Sequence, residues 1–405
     1  MRPKRLLLLS SLTLALVLHG LVARPIGSAR LDLPASLTDQ EFWRLTEELS
    51  EPNGAFTSDN LLSNERVFAR LVPDLIARTK PGGVYLGVGP EQNFTYIAAM
   101  RPRMAFITDI RRGNLHLQLM YKALFELSAD RAEFVSRLFT KPRPAGLTAT
   151  STVTQLMDAY WEAFTSNEAA YAANLQAIQD HLTKTRALPL SAEDLGGIAA
   201  VYRAFYWYGP AITWSARISL PPAPPPQPPS VITMISANGT TNTMTLAVGG
   251  TTYWDIVTQS DASGGLTFLA SEDTFKFLKD LERKNLIVPV VGNFSGPKAL
   301  RAVGAYVRDR GATVSAFYVS NVEGYLQRAG TWGDFCANVA TMPLDESSVF
   351  IRPNGLPRLA PQTTATDVVA SADAATKIRL LSATFQATAS GGLIPMAAEV
   401  KACAK

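Results

Sequence analysis

The chain has 405 residues, 47% hydrophobic and 18% charged, which is a globular composition and excludes a mainly disordered or collagen-like protein. Two cysteines and three histidines exclude a disulfide framework, a cysteine-based zinc site and a multi-histidine metal centre, so we expect no bound metal. The length allows two or three domains of roughly 150 residues each.

The N-terminus has the three-part layout of a secretory signal peptide. Three basic residues precede an apolar run at 6–18, and the small residues up to Ala29 fit a cleavage site, with Ala23 as a second option. The run is short for a membrane span, which needs about 20 residues. We therefore predict a signal peptide over 1–29 and an exported protein, periplasmic or extracellular; an uncleaved membrane anchor is the alternative.

The predicted signal also explains the net charge of +4. Residues 1–29 contain four basic residues and no acid, so the rest of the chain has 34 of each sign. No charge bias favours nucleic acid or an anionic membrane as a partner. In an oxidising compartment Cys336 and Cys403 form one disulfide, and two unpaired thiols are the alternative.

The first predicted elements are helices at 36–50, where Thr38 and Glu41 form a capping-box pattern, and at 64–80, where Pro73 is expected to kink or break the helix.

The most informative pattern follows. A strand at 84–86, a glycine-rich turn, a helix and a second apolar strand ending in Asp109 form the first half of a nucleotide-type βαβ unit.

The remaining segments complete the domain plan. Strands are predicted at 266–270, 286–294 and from 312, alternating with helices, which favours a mostly parallel sheet with helices on both faces. The predicted class is α/β, Rossmann-like, with an inserted helical and β cap. The boundaries are 36–140 for the N-terminal helices and first Rossmann-like half, 141–220 for a helical insertion, 221–229 for a proline-rich spacer, 230–262 for a β-meander, 263–355 for the second half and 356–405 for a flexible tail.

The glycine turn offers a weak dinucleotide signal. Gly87 and Gly89 form a G-x-G pattern, but Gln92 stands where the third glycine of the fingerprint belongs. Asp109 is better placed, because a ribose-binding carboxylate is expected about 20 residues after the first glycine. We predict that Asp109 binds a ribose; capping of the next helix is the alternative.

Charged residues near the turn narrow the chemical class of the expected ligand. Glu91 lies at the helix start, where it disfavours a pyrophosphate and suits a ligand with an ammonium or sulfonium centre, such as S-adenosylmethionine. Satisfying the helix dipole is its alternative role. Arg111 and Arg112 are positioned to bind a phosphate or to pair with acids such as Glu126.

The sequence over 82–139 and 285–326, together with the FIRP motif starting at Phe350, resembles a family of largely uncharacterised bacterial proteins with a methyltransferase-like Rossmann domain. The resemblance implies a class I methyltransferase-like layout that binds S-adenosylmethionine. In that layout Asn293 is the catalytic or substrate-orienting residue. The implied cofactor-binding residues are Gly87, Gly89, Glu91 and Asn93 near the methionine moiety, Asp109 at the ribose, and Ser271, Glu272 and Asp273 near the adenine.

Other candidates lie in predicted loops. Glu323 is a candidate general base with Asn321 as an orienting residue, against a role in loop hydrogen bonding. Asn60 and Asn64 are expected either to close over a ligand or to cap helices. His116 is expected in the core or on the surface rather than in catalysis. The aromatic residues Tyr202, Phe205, Tyr206, Trp207, Tyr208 and Trp214 are expected in the core of the cap rather than around a substrate.

Three functions follow in order of preference. The first is an S-adenosylmethionine-dependent methyltransferase with an unidentified small-molecule acceptor. The second is an exported, non-catalytic binding or structural protein on the same fold, favoured by export away from the cytosolic donor, by the degraded glycine motif, and by the amide of Asn293, which cannot act as a base. The third is a nicotinamide-dependent oxidoreductase, which Glu91 and the missing glycine oppose. The sequence leaves the oligomeric state open.

Overall fold

The computed structural model describes residues 32–65, 68–162, 167–218, 230–235, 241–246, 251–262, 264–353 and 392–403. The helices are α1 (Asp39–Leu49), α2 (Val72–Arg78), α3 (Gln92–Met100), α4 (Arg112–Leu127), α5 (Arg131–Phe139), α6 (Val153–Glu162), α7 (Glu168–Asp180), α8 (Ala192–Tyr208), α9 (Tyr253–Val257), α10 (Glu272–Arg283), α11 (Ala299–Asp309), α12 (Val322–Arg328), α13 (Trp332–Ala340) and α14 (Met396–Cys403). The strands are β1 (Val84–Val88), β2 (Met104–Asp109), β3 (Ser230–Ile235), β4 (Thr241–Leu246), β5 (Ser260–Asp261), β6 (Gly264–Gly265), β7 (Ile287–Val291), β8 (Val314–Tyr318), β9 (Val349–Arg352) and β10 (Gly392–Pro395). The predicted signal peptide at 1–29 and the proline-rich spacer at 221–229 lie outside the described residues.

Six strands form one sheet in the order β10-β9-β8-β1-β2-β7. β1 lies inside the sheet and pairs in parallel with β2 on one side and with β8 on the other. β7 continues the parallel pairing beyond β2, and β9 continues it beyond β8, whereas β10 runs antiparallel to β9. The prediction of an α/β protein with a mostly parallel sheet is confirmed.

Strands β1, β2, β7 and β8 are buried along their whole length, as expected for parallel strands that are covered on both faces. Aromatic side chains fill the space between the sheet and the helices. Phe125 contacts Phe94 with ring centroids 5.2 Å apart, Phe134 at 4.7 Å and Phe275 at 5.4 Å. These contacts join α3, α4, α5 and α10 into one core layer.

The insertion between β2 and β7 is partly as expected. Helices α6, α7 and α8 fall within the predicted helical segment, and α8 packs along α4. Two of the predicted strands, β3 and β4, form an antiparallel hairpin, and the Asn-Gly turn proposed between them lies outside the described residues. The third predicted strand is wrong, because Thr252 and Asp255 form a capping box that starts helix α9 instead.

The strand predicted at 266–270 is also wrong, and the reason is a buried arginine. The guanidinium of Arg131, 2% exposed, donates to the carbonyl oxygens of Leu269 at 2.7 Å and Ala270 at 3.1 Å. These carbonyls therefore face a side chain and cannot pair with a neighbouring strand. The strand beside β2 is β7, so Asn293 follows the third parallel strand along the chain, not a fourth one.

The helix predicted at 64–80 is interrupted beside Pro73, as expected. A 3₁₀ turn at Phe68–Leu71 precedes α2, and Pro73 lies in the first turn of α2, where a proline sacrifices no helical hydrogen bond. The tail expected to be flexible from residue 356 contains β10 and α14, although 354–391 lie outside the described residues. Cys336 is disulfide-bonded, and the sequence has one other cysteine, Cys403. Within the described residues, no helix is both long and apolar enough to cross a membrane.

Arg131→Ala should lower the free energy of unfolding by about 3–5 kcal/mol, because the change leaves Glu272 without its buried cation and several carbonyls without a donor. Urea unfolding followed by circular dichroism measures the effect. Arg44→Ala is the matched control, since the Arg44 side chain is 66% exposed and its loss should cost about 0.5 kcal/mol or less. Equal effects of the two changes would show that the Arg131 contacts do not stabilise the fold.

Candidate functional site

A cavity of about 470 Å³ lies at the carboxyl edge of the parallel sheet. The ends of β1, β2, β7 and β8 all contribute to it, through Gly89, Asp109, Asn293 and Ser320 among others. The carboxyl edge is where open parallel sheets bind ligands, because the loops leaving neighbouring strands diverge there. The full lining consists of Phe56, Thr57, Ser58, Asn60, Leu62, Ser63, Asn64, Val88, Gly89, Pro90, Gln92, Asp109, Ile110, Trp214, Arg217, Asn293, Phe294, Ser320, Asn321, Val322, Tyr325 and Leu326.

The side-chain amide of Asn93 fixes the conformation of the glycine turn. Asn93 is fully buried and donates from Nδ2 to the carbonyl oxygens of Val88 at 3.0 Å, Gly89 at 3.2 Å and Pro90 at 2.7 Å. A side chain at Gly87 would place its Cβ 1.8 Å from the Asn93 Oδ1 atom. Gly89 has a φ of +77°, in the left-handed region that favours glycine. Of the two glycines only Gly89 lines the cavity, and Asn93 holds the turn rather than facing a ligand.

Asp109 lines the cavity, as predicted, and its carboxylate also forms an ion pair with Arg111. Its Oδ1 atom accepts from the backbone N–H of Arg111 at 2.9 Å and from Arg111 Nε at 3.1 Å, while Oδ2 accepts from Arg111 Nη2 at 3.1 Å. Arg111 also donates to the carbonyl oxygen of Asp59. Oδ2 accepts a single hydrogen bond among the described residues, so this oxygen keeps acceptor capacity beyond the ion pair.

Arg112, the second of the two adjacent arginines, contacts other acidic residues. Arg112 donates to Asp194 at 2.7 Å and to Glu47 at 3.2 Å, and His116 Nε2 contacts the same Asp194 oxygen at 3.0 Å. Both arginines are paired with acids, but neither pairs with Glu126, which contacts Lys122, His181 and Arg186 instead. His116 is buried outside the cavity lining, as expected for a residue without a catalytic role.

Glu91 does not contact the cavity, which corrects its predicted role. It is fully buried, and its Oε1 atom accepts from the backbone N–H of Ser63 at 3.2 Å. Burial raises the pKa of Glu91 to about 8, so the side chain is mostly neutral at pH 7. It therefore offers no carboxylate to an ammonium or sulfonium group, and the predicted repulsion of a pyrophosphate does not operate.

Three further predicted residues lie away from the cavity. Ser271 caps α10 by accepting from the Thr274 N–H at 3.2 Å, and Glu272 pairs with Arg131 at 2.9 Å, so neither is placed near a bound adenine. Glu323 is buried and pairs with Arg352 at 2.5 Å, which rules out its predicted role as a general base in this cavity. These side chains stabilise helix ends and buried charges.

The remaining predicted residues do line the cavity. Asn293 is exposed there, with its Oδ1 atom accepting from the Ser295 N–H at 3.1 Å, and Asn321 also lines the cavity. Asn60 and Asn64 both contribute to the wall of the cavity, and their closing over a ligand stays a prediction. Of the aromatic cluster, Trp214 lines the cavity, whereas Tyr202, Phe205 and Tyr206 are buried in the core.

No sequence pattern indicated that the segment between α1 and α2 covers the sheet edge. Glu51 accepts from the backbone N–H groups of Lys298 at 2.8 Å, Ala299 at 2.9 Å and Asn293 at 2.9 Å. It thereby satisfies the N-terminus of α11. The short motif EPNG supplied a turn signal, but no spacing connected it with residues 240 positions later.

Glu65 is the second missed residue. It is buried, and its carboxylate accepts from the Tyr318 hydroxyl at 2.7 Å and from the Ser320 hydroxyl at 3.1 Å. Burial raises the pKa of Glu65 to about 7. Ser320 lines the cavity with a φ of +49°, so this buried acid fixes an unusual backbone at the cavity wall.

In the described part of the chain, no group of three or more His, Cys, Asp and Glu side chains is arranged to hold a metal ion. The cavity therefore presents backbone, amides, hydroxyls and aromatic rings, with Asp109 and Arg217 as its formally charged members. Such a lining binds and orients a small organic molecule through hydrogen bonds and apolar contacts.

Comparison with known proteins assigns the family. A model of a family described as a domain of unknown function (DUF7790) matches residues 61–191 and 250–371, which is more than half of the chain. The protein therefore belongs to that family. The segment between the matched parts includes α8, the proline-rich spacer and the β3–β4 hairpin. A search of curated proteins gave no match.

Glu91→Gln should become progressively more stabilising, relative to the native protein, as the pH rises from about 4.5 to about 8. The unfolded chain releases the Glu91 proton near 4.5 and the folded protein keeps it to about 8, so the native protein loses stability over this interval. Glutamine keeps the acceptor for Ser63 but does not titrate. Urea unfolding at pH 5 and 8.5 should differ by roughly 2–4 kcal/mol in the mutational effect.

The matched control is Glu41→Gln. A hydrogen bond from the Thr38 N–H lowers the pKa of Glu41, so this residue titrates below the interval and the control should show no such gain. A mutational effect of Glu91→Gln that is constant with pH would mean that Glu91 is ionised in the folded protein.

Proposed function

We propose that the cavity binds S-adenosylmethionine and that the protein is a methyltransferase-like member of its family with a Rossmann-like sheet. The order β7-β2-β1-β8 supports this layout, because the chain runs outward from β1 through β2 to β7 and then returns to the other side of β1 as β8. The cavity opens at the carboxyl ends of these strands, at that reversal. The observation that carries the proposal is the presence of Gly89 and Asp109 in one cavity at this point.

The residues present fit an adenosyl ligand in two respects. Gly89 exposes main chain without a side chain, so a ligand can approach the backbone closely. Asp109 retains acceptor capacity at Oδ2, and a carboxylate accepts hydrogen bonds from the hydroxyls of a ribose. The pairing with Arg111 fixes the orientation of the Asp109 carboxylate before any ligand binds.

The bound donor would supply an electrophilic methyl group on a sulfonium. The chain's own residues would contribute position rather than acid–base chemistry. Asn293 and Asn321, which line the cavity beyond the ends of β7 and β8, offer amide groups that orient an acceptor by hydrogen bonds. Glu91, Ser271, Glu272 and Glu323 take no part, since none of them lines the cavity.

A specific observation favours the second candidate, a binding protein without catalytic activity. Among the lining residues the acidic side chain is Asp109, which is ion-paired with Arg111, and the others that titrate are Arg217 and Tyr325. The described lining contains no histidine, lysine or glutamate to act as a general base, and its carboxylate is held in an ion pair. A protein that only binds its ligand needs no such base, and export from the cytosol would separate it from the donor.

Calorimetric titration of the mature protein with S-adenosylmethionine, S-adenosylhomocysteine and NAD tests the proposal. We expect the two adenosyl-sulfur ligands to bind and Asp109→Ala to weaken them about tenfold or more, because a hydrogen bond to a charged group is lost. Asp273→Ala is the matched control; Asp273 pairs with Arg101 outside the cavity and its loss should change neither affinity.

A second variant guards against an indirect effect of Asp109→Ala on Arg111. Asn64→Tyr places a bulky ring at the cavity wall and should also weaken both ligands. Binding of NAD alone would overturn the proposal in favour of a nicotinamide-dependent function. Binding without methyl transfer to any offered acceptor would favour the non-catalytic candidate.

A further inference from the structure

The mouth of the cavity concentrates exposed aromatic side chains. Among the described residues, the large apolar side chains that are exposed are Phe56 (36%), Trp214 (37%), Tyr325 (41%) and Ile76 (55%). All except Ile76 line the cavity. Exposed aromatic rings cost free energy in water, so three of them gathered at one opening indicate a surface that a ligand covers.

The rings come from three separate parts of the chain. Phe56 and Tyr325 meet edge to face, with centroids 5.1 Å apart and planes at 72°. Trp214 follows α8, in the segment that ends the helical insertion. The guanidinium of Arg328 lies over the Tyr325 ring, 4.5 Å from its centroid, and this cation–π contact orients the ring. Such an arrangement presents ring faces and edges to a flat molecule.

The same opening carries a positive charge. Arg217 is exposed in the lining, and its Nη1 atom donates to the carbonyl oxygen of Thr57 at 3.0 Å. Within the described ranges, no ion pair joins Arg217 to a carboxylate. Asp109, the acidic lining residue, is already neutralised by Arg111. Arg217 is therefore the cation of the lining that has no ion-pair partner among the described residues, and it follows Trp214 by three positions. The carboxylate of Asp59 lies close by and accepts from the Ile218 N–H at 2.9 Å.

We propose that this mouth is a subsite for a flat aromatic carboxylate. The ring would lie against Trp214, Phe56 and Tyr325, and the carboxylate would accept hydrogen bonds from the Arg217 guanidinium. A neutral ring leaves the charge of Arg217 unmatched, and an aliphatic acid leaves the ring faces uncovered. Binding of such a molecule stands on these contacts alone; its role as the methyl acceptor rests on the proposed function.

The probe is 2-naphthoate, compared by calorimetry with its uncharged amide, 2-naphthamide, and with cyclohexanecarboxylate. We expect 2-naphthoate to bind tightest of the three. Trp214→Ala should weaken it about tenfold, because a stacking face is lost. Arg217→Gln should remove the preference for 2-naphthoate over 2-naphthamide, whereas Arg217→Lys, which keeps the charge, should retain most of that preference.

Matched controls lie outside the cavity. Ile76→Ala removes the exposed apolar side chain that does not line it, and Arg44→Gln removes an exposed arginine on α1. Both should leave the affinity for 2-naphthoate unchanged. Equal binding of the acid and the amide, or equal losses in Trp214→Ala and Ile76→Ala, would overturn the proposed subsite.

Repeating the titration with S-adenosylhomocysteine separates this inference from the proposed function. Simultaneous binding of both molecules supports an acceptor subsite beside the donor. Competition between them would overturn it, because the mouth would then hold the adenine. Binding of 2-naphthoate without any binding of S-adenosylhomocysteine supports the subsite and contradicts the proposed donor. Binding of S-adenosylhomocysteine alone contradicts the subsite and leaves the donor proposal standing.

Discussion

The segment from Glu51 to Glu65 turns an open sheet edge into a cavity, and the candidate site depends on how that segment is held. Its attachment is mostly electrostatic and backbone-mediated. Glu51 satisfies the amide groups at the start of α11, and the Gly54 N–H donates to the Ile110 carbonyl at 2.8 Å. This segment therefore belongs to the candidate site as much as the strand ends do, although it precedes the βαβ unit in the chain.

The far end of that segment is fixed by two buried acids. Ser63 donates its N–H to Glu91, and Glu65 accepts from hydroxyl groups beyond the end of β8. Neither carboxyl group forms an ion pair within the described residues, so each is accommodated by hydrogen bonds and by a raised pKa rather than by a countercharge. This is a costly arrangement that a purely structural loop does not need. It keeps the wall of the cavity fixed on the sheet in the absence of a ligand.

Local patterns in the sequence predicted most of the fold. The alternation of apolar strands with capped helices indicated the parallel sheet, and the strand, glycine turn and acid at 84–109 located one wall of the cavity. The errors arose where a distant side chain decided the backbone. The turn at 266–270 is apolar enough for a strand, but Arg131, far away in the chain, binds its carbonyl groups. No periodicity reveals such a partner.

Predictions for the site residues were correct where strand order determines a residue's position and wrong where side-chain packing determines it. Residues that directly follow a parallel strand, such as Asp109 and Asn293, were correctly expected at the sheet edge, because topology alone brings strand ends together. The direction of a helical side chain was less accessible. Glu91 and Glu323 lie close to the edge in sequence, but each points into the protein, toward partners on other elements. Which way an acid faces depends on packing that only the folded chain defines.

The pairing of β1 with both β2 and β8 has a consequence for how the protein is made. Val84 pairs with Met104 soon after it is synthesised, but its other neighbour, Val314, emerges from the ribosome only when most of the chain is complete. Until then one edge of β1 has no partner strand. The insertion between the two halves lengthens that interval. The nascent protein must therefore hold an unfinished sheet during synthesis, and a chain stopped before β8 would expose an edge prone to self-association.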